Sequence, residues 1–211
     1  QKLIEGEYKA GKRDGKWTTW NEEGVKIDES TFQDGIQNGP STRWDDSGRK
    51  LYEGTFKNGV KEGFWTYWNK QGIKTKAGEY LNDKMHGQWT FYDNNGRKKS
   101  TGEYENGIKN GLWINWDENG KKTEKGFYQD DKKNGTWTQY DRAGLKKVEM
   151  DYQDDVLHGR WIEFDNDGDK TKEFTYLDGE INGEAFLWHK GRMIKHEVYR
   201  GGSLIKILSV S

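Results

Sequence analysis

A spacing of 24 residues constrains this chain more than any other feature of its sequence. The stretch from Tyr52 to Gly72 returns when the sequence is shifted by that step in either direction. Phe56 is matched by Tyr8 and Phe32 upstream, and by Tyr80, Tyr104, Tyr128, Tyr152 and Tyr176 downstream. Gly63 is matched by Gly15, Gly39, Gly87, Gly111, Gly135, Gly159 and Gly183. The slot of Trp65 holds Trp17, Trp89, Trp113, Trp137 and Trp161, with Ser41 and Ala185 as exceptions. The slot of Trp68 holds Trp20, Trp44, Trp116 and Trp188, with Tyr92, Tyr140 and Phe164 in the remaining copies. All 11 tryptophans therefore fall in two of the 24 slots. A fixed period of this size marks a repeat array, in which each unit buries its apolar side against its neighbours.

With 34% charged and 30% hydrophobic residues, composition alone would point to disorder. The aromatic residues, 14% of the chain and strictly periodic, point the other way, because each can bury a large area from one position. Rows of rings are expected to replace an aliphatic core. The absence of cysteine excludes disulfides and thiolate metal sites. No apolar run approaches the roughly 18 residues of a membrane-spanning helix, and no charged and apolar leader precedes the first repeat. The chain begins at Gln1, without Met and already in repeat register, which reads as a processed or excised chain. An exported or cell-surface location is expected on that ground, with the cytoplasm as the alternative. Because 35 basic residues meet 36 acidic ones, the basic excess of a nucleic-acid binder is missing.

Each unit reads as one β-hairpin. In the first, Leu3 to Lys9 is a strand, Gly11 to Gly15 a connecting loop with Asp14-Gly15 as its turn signal, and Lys16 to Trp20 the return strand. Asn21 to Gly24 is the turn into the next unit. Later copies place Asn-Gly at Asn110, Asn134 and Asn182, and His-Gly at His86 and His158, which makes those histidines turn residues. No helix-period segment and no linker is evident. Residues 1–199 are expected to form one array of about eight hairpins, and 200–211 a C-terminal capping strand. Trp65 and Trp68 lie three apart, so their rows should face opposite sides of a single sheet unless a bulge intervenes. The aliphatic tail from Leu204 to Val210 is expected to cover the last aromatic row; a sticky edge for self-association is its alternative.

The pattern Tyr52-x-Gly54-x-Phe56-x-x-Gly59-x-x-x-Gly63 resembles the MORN repeat. Trp65 stands where that family usually has glycine, and the unit is 24 residues rather than one shorter; both features resemble the bacterial MORN-repeat variant of YwqK-type antitoxin proteins. The resemblance implies an elongated, all-β, single-sheet antiparallel hairpin solenoid used for protein binding, with toxin neutralisation linked to the YwqK type and lipid binding proposed for MORN proteins generally.

Candidate partner-binding residues follow from the rows. Trp17, Trp65, Trp89, Trp113, Trp137 and Trp161 either line a groove for a partner or form the repeat's own packing. Ser41 interrupts their row and should leave a notch beside Arg43. Lys26, Lys50, Lys74, Lys98, Lys122, Lys146 and Lys170 form a lysine row, but acids before and after it weaken its field, so lipid binding is not expected. Asp165 to Asp169 resembles the start of a calcium loop, yet its twelfth position is Tyr176 rather than Glu, so a polar turn is expected. His189 and His196 stand alone. No catalytic set, metal site or cofactor loop stands out from the repeat background. The expected function is a non-enzymatic protein-interaction scaffold with an unidentified protein partner. The alternatives are an antitoxin or immunity protein, and a structural or surface protein that assembles through its open sheet ends.

Overall fold

The computed structural model describes residues 3–210; Gln1, Lys2 and Ser211, which the sequence placed in the first repeat and the closing strand, lie outside the described residues. The chain divides into two compact units, residues 1–108 and 109–211. The first holds β1 (Ile4–Lys9), β2 (Lys12–Trp20), β3 (Lys26–Gln33), β4 (Ile36–Trp44), β5 (Lys50–Lys57), β6 (Val60–Trp68), β7 (Lys74–Leu81), β8 (Lys84–Tyr92) and β9 (Lys98–Glu105). The second holds β10 (Ile108–Trp116), β11 (Lys122–Gln129), β12 (Lys132–Tyr140), β13 (Lys146–Gln153), β14 (Val156–Phe164), β15 (Lys170–Leu177), β16 (Glu180–His189), β17 (Arg192–Arg200) and β18 (Ser203–Leu208). Within each unit every strand pairs antiparallel with the next, and no described residue is helical. Each unit has the all-β, antiparallel hairpin fold expected from the repeat, as one sheet layer.

Two kinds of turn alternate, and the tighter one is not where the sequence reading put it. Residues 58–59 form a two-residue hairpin turn with φ of 51° at Asn58 and 84° at Gly59, the left-handed pair of a type I′ turn. Asp34-Gly35, Asn82-Asp83, Asp130-Asp131 and Asp154-Asp155 repeat it. Asp14-Gly15 and its copies, His86-Gly87 and His158-Gly159 included, lie inside strands instead. The wider turn is an Asx turn: Asn69 Oδ1 accepts from the backbone N–H of Gln71 and Ile73, both at 3.0 Å. In the eighth copy the one-residue deletion replaces it with a two-residue turn at Lys190-Gly191, with φ of 50° and 73°.

What the Gly15 slot supplies is a bulge. Between β5 and β6 the pairing jumps from Glu53↔Thr66 to Thr55↔Glu62, which leaves Gly63, Phe64 and Trp65 opposite the single residue Gly54. The same jump recurs opposite Gly6, Gly78 and Gly126. It lays the indole flat on the glycine of the preceding strand. A Cβ built on Gly6, Gly54, Gly78 or Gly126 would come within 2.1–2.7 Å of indole atoms of Trp17, Trp65, Trp89 or Trp137 respectively, closer than any contact allows. The burial is complete for Trp65, Trp89 and Trp137, although only one sheet layer is present. Their indole nitrogens donate to the carbonyls of Thr55, Glu79 and Phe127 at 3.2, 2.9 and 3.0 Å.

Past the bulge the strand alternates normally, so Trp65 and Tyr67 share one face and Thr66 and Trp68 the other. The contacts agree. Trp65 meets Tyr52, Phe56, Tyr67 and Tyr80, whereas Trp68 lies under the Lys50 ammonium, 5.1 Å from its ring centre.

The tail corrects one further expectation. β17 and β18 pair as a ninth hairpin, so β18 extends the sheet edge rather than folding over a row of rings. Leu204, Ile205 and Ile207 keep 48%, 58% and 61% of their surface exposed, because edge-on pairing satisfies the backbone without covering side chains.

Gly54→Ala is expected to destabilise the chain by about 1–3 kcal/mol in denaturant unfolding, since the added methyl must displace a fully buried ring. Gly54→Phe combined with Trp65→Ala should recover stability relative to Trp65→Ala alone, because Phe174 and Ala185 form that reversed pair naturally. Additive effects of the two substitutions would contradict the packing described.

Candidate functional site

The strongest convergence of side chains lies on the Trp65 face of the first unit. Trp65, Tyr80 and Trp89 are its buried members, with Tyr52, Phe56, Tyr67, Met85, Phe91 and Tyr104 packed around them. Adjacent rings meet edge to face, as Tyr80 does with Trp65 at 6.0 Å and with Trp89 at 5.0 Å between centroids. β6 and β7 then place two ammonium groups on this surface. Lys61 Nζ donates to the Tyr67 hydroxyl at 3.0 Å and lies 4.9 Å from the ring centres of both Trp65 and Tyr80. Lys76 Nζ lies 4.7 Å from the centre of the Tyr67 ring and 5.7 Å from that of Trp89. Tyr67 donates in turn to the Tyr80 hydroxyl at 3.3 Å.

This environment shifts three groups. Burial, then the hydrogen bond and charge shared with Tyr67, hold the Tyr80 phenol protonated far beyond its ordinary range. Burial also raises the Tyr67 phenol. Burial, followed by repulsion from Lys61, lowers the Lys76 ammonium.

The cation over the ring is part of the repeat. Arg13 lies 4.5 Å from the centre of Trp17, Lys109 4.5 Å from Trp113 and Lys133 4.0 Å from Trp137. Each of these tryptophans thus has a lid as well as, at Trp17 and Trp137, a glycine floor.

The residues singled out in the sequence take these places. Trp17 and Trp113 are buried, at 5% and 6% exposure, and Trp161 is half-buried beside Phe174. The indole nitrogen of Trp17 is buried without a partner among the described residues. The row therefore presents lids and flanking rings outward, not open indole faces. Ser41 leaves no open notch. It is 2% exposed, its hydroxyl lies 3.0 Å from that of Ser30 in the glycine slot, and the Gln37 amide in the lid slot donates to Ser30 at 3.3 Å. Floor, ring and lid have changed together and close the gap. Arg43 reaches Asp28 at 3.9 Å.

On the other face the lysine row is occupied by its own surroundings. Lys26, Lys74, Lys122 and Lys146 lie over Trp44, Tyr92, Tyr140 and Phe164. Lys26, Lys146 and Lys170 also pair with Glu29, Glu149 and Glu173 at 3.0, 2.7 and 2.9 Å. Asp165 spends one carboxylate oxygen on the N–H groups of Asp167 and Asp169, and no metal-holding group of His, Asp or Glu occurs among the described residues. The sequence reading missed Lys61, Tyr67, Lys76 and Tyr80 as a set. Its signal was the lid slot, basic at Arg13, Lys61, Lys109 and Lys133.

Comparison with known proteins bears on the repeat. Residues 85–106 and 109–130 match the family model described as MORN repeat variant. The curated proteins give no match. A similar solved chain is that of "Crystal Structure of TcdB2-TccC3", at 11% identity and a TM-score of 0.18, with 97% of this chain and 16% of that one covered. This chain spans about a sixth of that structure's length, and likeness at so low a TM-score has no bearing on fold or function.

The raised tyrosines have a pH consequence. Unfolded, Tyr67 and Tyr80 ionise near pH ~10; folded, they resist ionisation. The stability this represents is fully present below that pH and is lost as pH rises above it. Phenolate absorbance titration should show late-ionising tyrosines, and Tyr80→Phe should remove the latest of them while flattening the alkaline loss of stability.

Proposed function

We propose that this chain is a non-enzymatic scaffold whose sheet face binds a protein partner. The observation that supports it most is the openness of the sheet: within each unit, strands pack substantially only against their sequence neighbours. Both faces are thus available to another chain, on a framework already ordered before binding. Large apolar side chains stand on the open surface, with Tyr8 66%, Phe64 61% and Phe127 54% exposed. The MORN repeat variant match is consistent with a repeat-based binding role. Neither nucleic acid nor lipid enters the proposal, because the lysine row is engaged by glutamates and rings.

Within this reading, the likeness of the repeat to YwqK-type antitoxin proteins supports a toxin as one class of partner. A one-to-one complex with the product of a neighbouring gene is the expected sign; no complex with any neighbouring product would remove that class. Immobilised chain should retain a saturable partner from an extract of its source, and Phe64→Ser or Phe127→Ser should reduce recovery several-fold if the exposed rings take part. Recovery of nothing above a blank surface would count against the scaffold itself.

A second reading, assembly through the sheet edge, is favoured by the exposed aliphatic side chains of β18. Light scattering should then report oligomers that Ile205→Lys with Ile207→Lys converts to monomer. A monomer at all concentrations would exclude it.

A further inference from the structure

We propose that the Lys61–Lys76 cluster is a docking site for an acidic segment of a protein partner, a carboxylate side chain seating between the two ammonium groups with the surrounding rings as its apolar walls. This rests on the scaffold reading and specifies which face is engaged and by what chemistry.

Charge complementarity is the ground. Both cations are on Tyr67, Lys61 at the hydroxyl and Lys76 over the ring. Both are half-buried and so still reachable. No carboxylate among the described residues lies within ion-pair distance of either ammonium; the ion pairs that do form involve other residues. Asp83 faces the pair from the turn between β7 and β8, but its Oδ1 is held by the backbone N–H of Lys61 at 2.8 Å. Placing two like charges on one ring with no counter-ion is unfavourable in the free chain. A ligand carboxylate would relieve that repulsion and gain two charge-assisted hydrogen bonds.

The second unit shows the same surface with its charge already answered. The shift that carries Lys61 onto Lys133 puts Glu124 where Tyr52 stands, and Glu124 pairs with Lys133 at 3.1 Å. Lys133 in turn occupies the slot of Lys61. The repeat can therefore neutralise its lid lysine internally, and around Lys61 it does not. The flanking rings and Met85 suit a segment in which the acid is neighboured by apolar side chains.

The test uses the full chain and hexaglutamate as probe, followed by isotope-edited NMR, with hexalysine, inorganic phosphate and vesicles containing phosphatidylserine as comparisons. The expected result is saturable hexaglutamate binding that moves the resonances of residues around Lys61, Lys76 and Tyr67. Lys61→Gln with Lys76→Gln should weaken it by about tenfold or more, whereas Lys61→Arg with Lys76→Arg should retain it. Tyr52→Glu, which puts a carboxylate in the Glu124 slot, should compete from within the chain. Thermal melts establish that each variant is folded, and the Lys→Gln pair alone decides the matter if Tyr52→Glu is not. Hexaglutamate binding unchanged by Lys61→Gln with Lys76→Gln would overturn the proposal. So would tighter, lysine-dependent binding of phosphate or of vesicles, which would make the site one for phosphate groups. If the wild-type chain captures a protein partner and the double variant captures it equally, the docking site fails while the scaffold reading stands. If hexaglutamate binds as expected but no partner is ever captured, the scaffold reading fails and the docking proposal fails with it.

Discussion

An indole lying on a backbone that has no Cβ is the contact on which this structure depends. A single sheet has no interior, so a large side chain on it is ordinarily wet on one side. Here the strand beneath contributes glycine, the bulge at Gly63 drops Trp65 onto it, and flanking tyrosines and a lysine close the rest. The result is a fully buried tryptophan in a one-layer protein. The copies that depart from the rule show it to be a volume constraint rather than a preference for two residue types. Where the ring is lost at Ser41 the floor becomes Ser30, and the two hydroxyls meet. Where the ring slot shrinks to Ala185, its cross-strand partner grows to Phe174. Where the floor becomes Met150, Trp161 is lifted into partial exposure while Met150 itself is buried. Close packing of this kind leaves no room for either partner to change alone.

Periodicity made the fold class, the antiparallel hairpins and the opposition of the two aromatic rows legible, because each depends only on spacing and on strand alternation. Turn placement was not legible, for a physical reason. A type I′ turn, an Asx loop and a bulge all call for a residue at positive φ; glycine provides it in the loop and the bulge, and glycine, asparagine and aspartate share it in most of the turns. Asn58-Gly59 and Asn110-Gly111 are the same dipeptide; one turns the chain and the other bends a strand. Counting would have separated them. Two-residue turns at the Asn58 slot leave strands of eight and nine residues on either side, as in β5 and β6, while a loop at Gly11 to Gly15 would set the short return strand Lys16 to Trp20 against a longer first strand. The tail was misread for a related reason. Its aliphatic content suggested a cover, but a strand at an edge joins the ladder before it covers anything, and the pairing of β18 with β17 follows.

The charge pattern of the candidate site depends on those same bulges. Net charge near zero and alternating signs along the chain describe a surface on which any lysine could be neutralised by some acid. Which one it meets is set by cross-strand register. Lys133 finds Glu124 across β11 and β12, past the jump between Lys125 and Phe127. The same jump between β5 and β6 brings Lys61 to a strand whose matching residue is Tyr52, and regular pairing from β6 to β7 sets Lys76 directly across from Tyr67. A solenoid of identical backbones can thus carry a closed ion pair in one unit and an open pair of cations in another by exchanging a single residue type in one slot. The backbone largely repeats from copy to copy, so what distinguishes one stretch of this surface from another resides mainly in such exchanges.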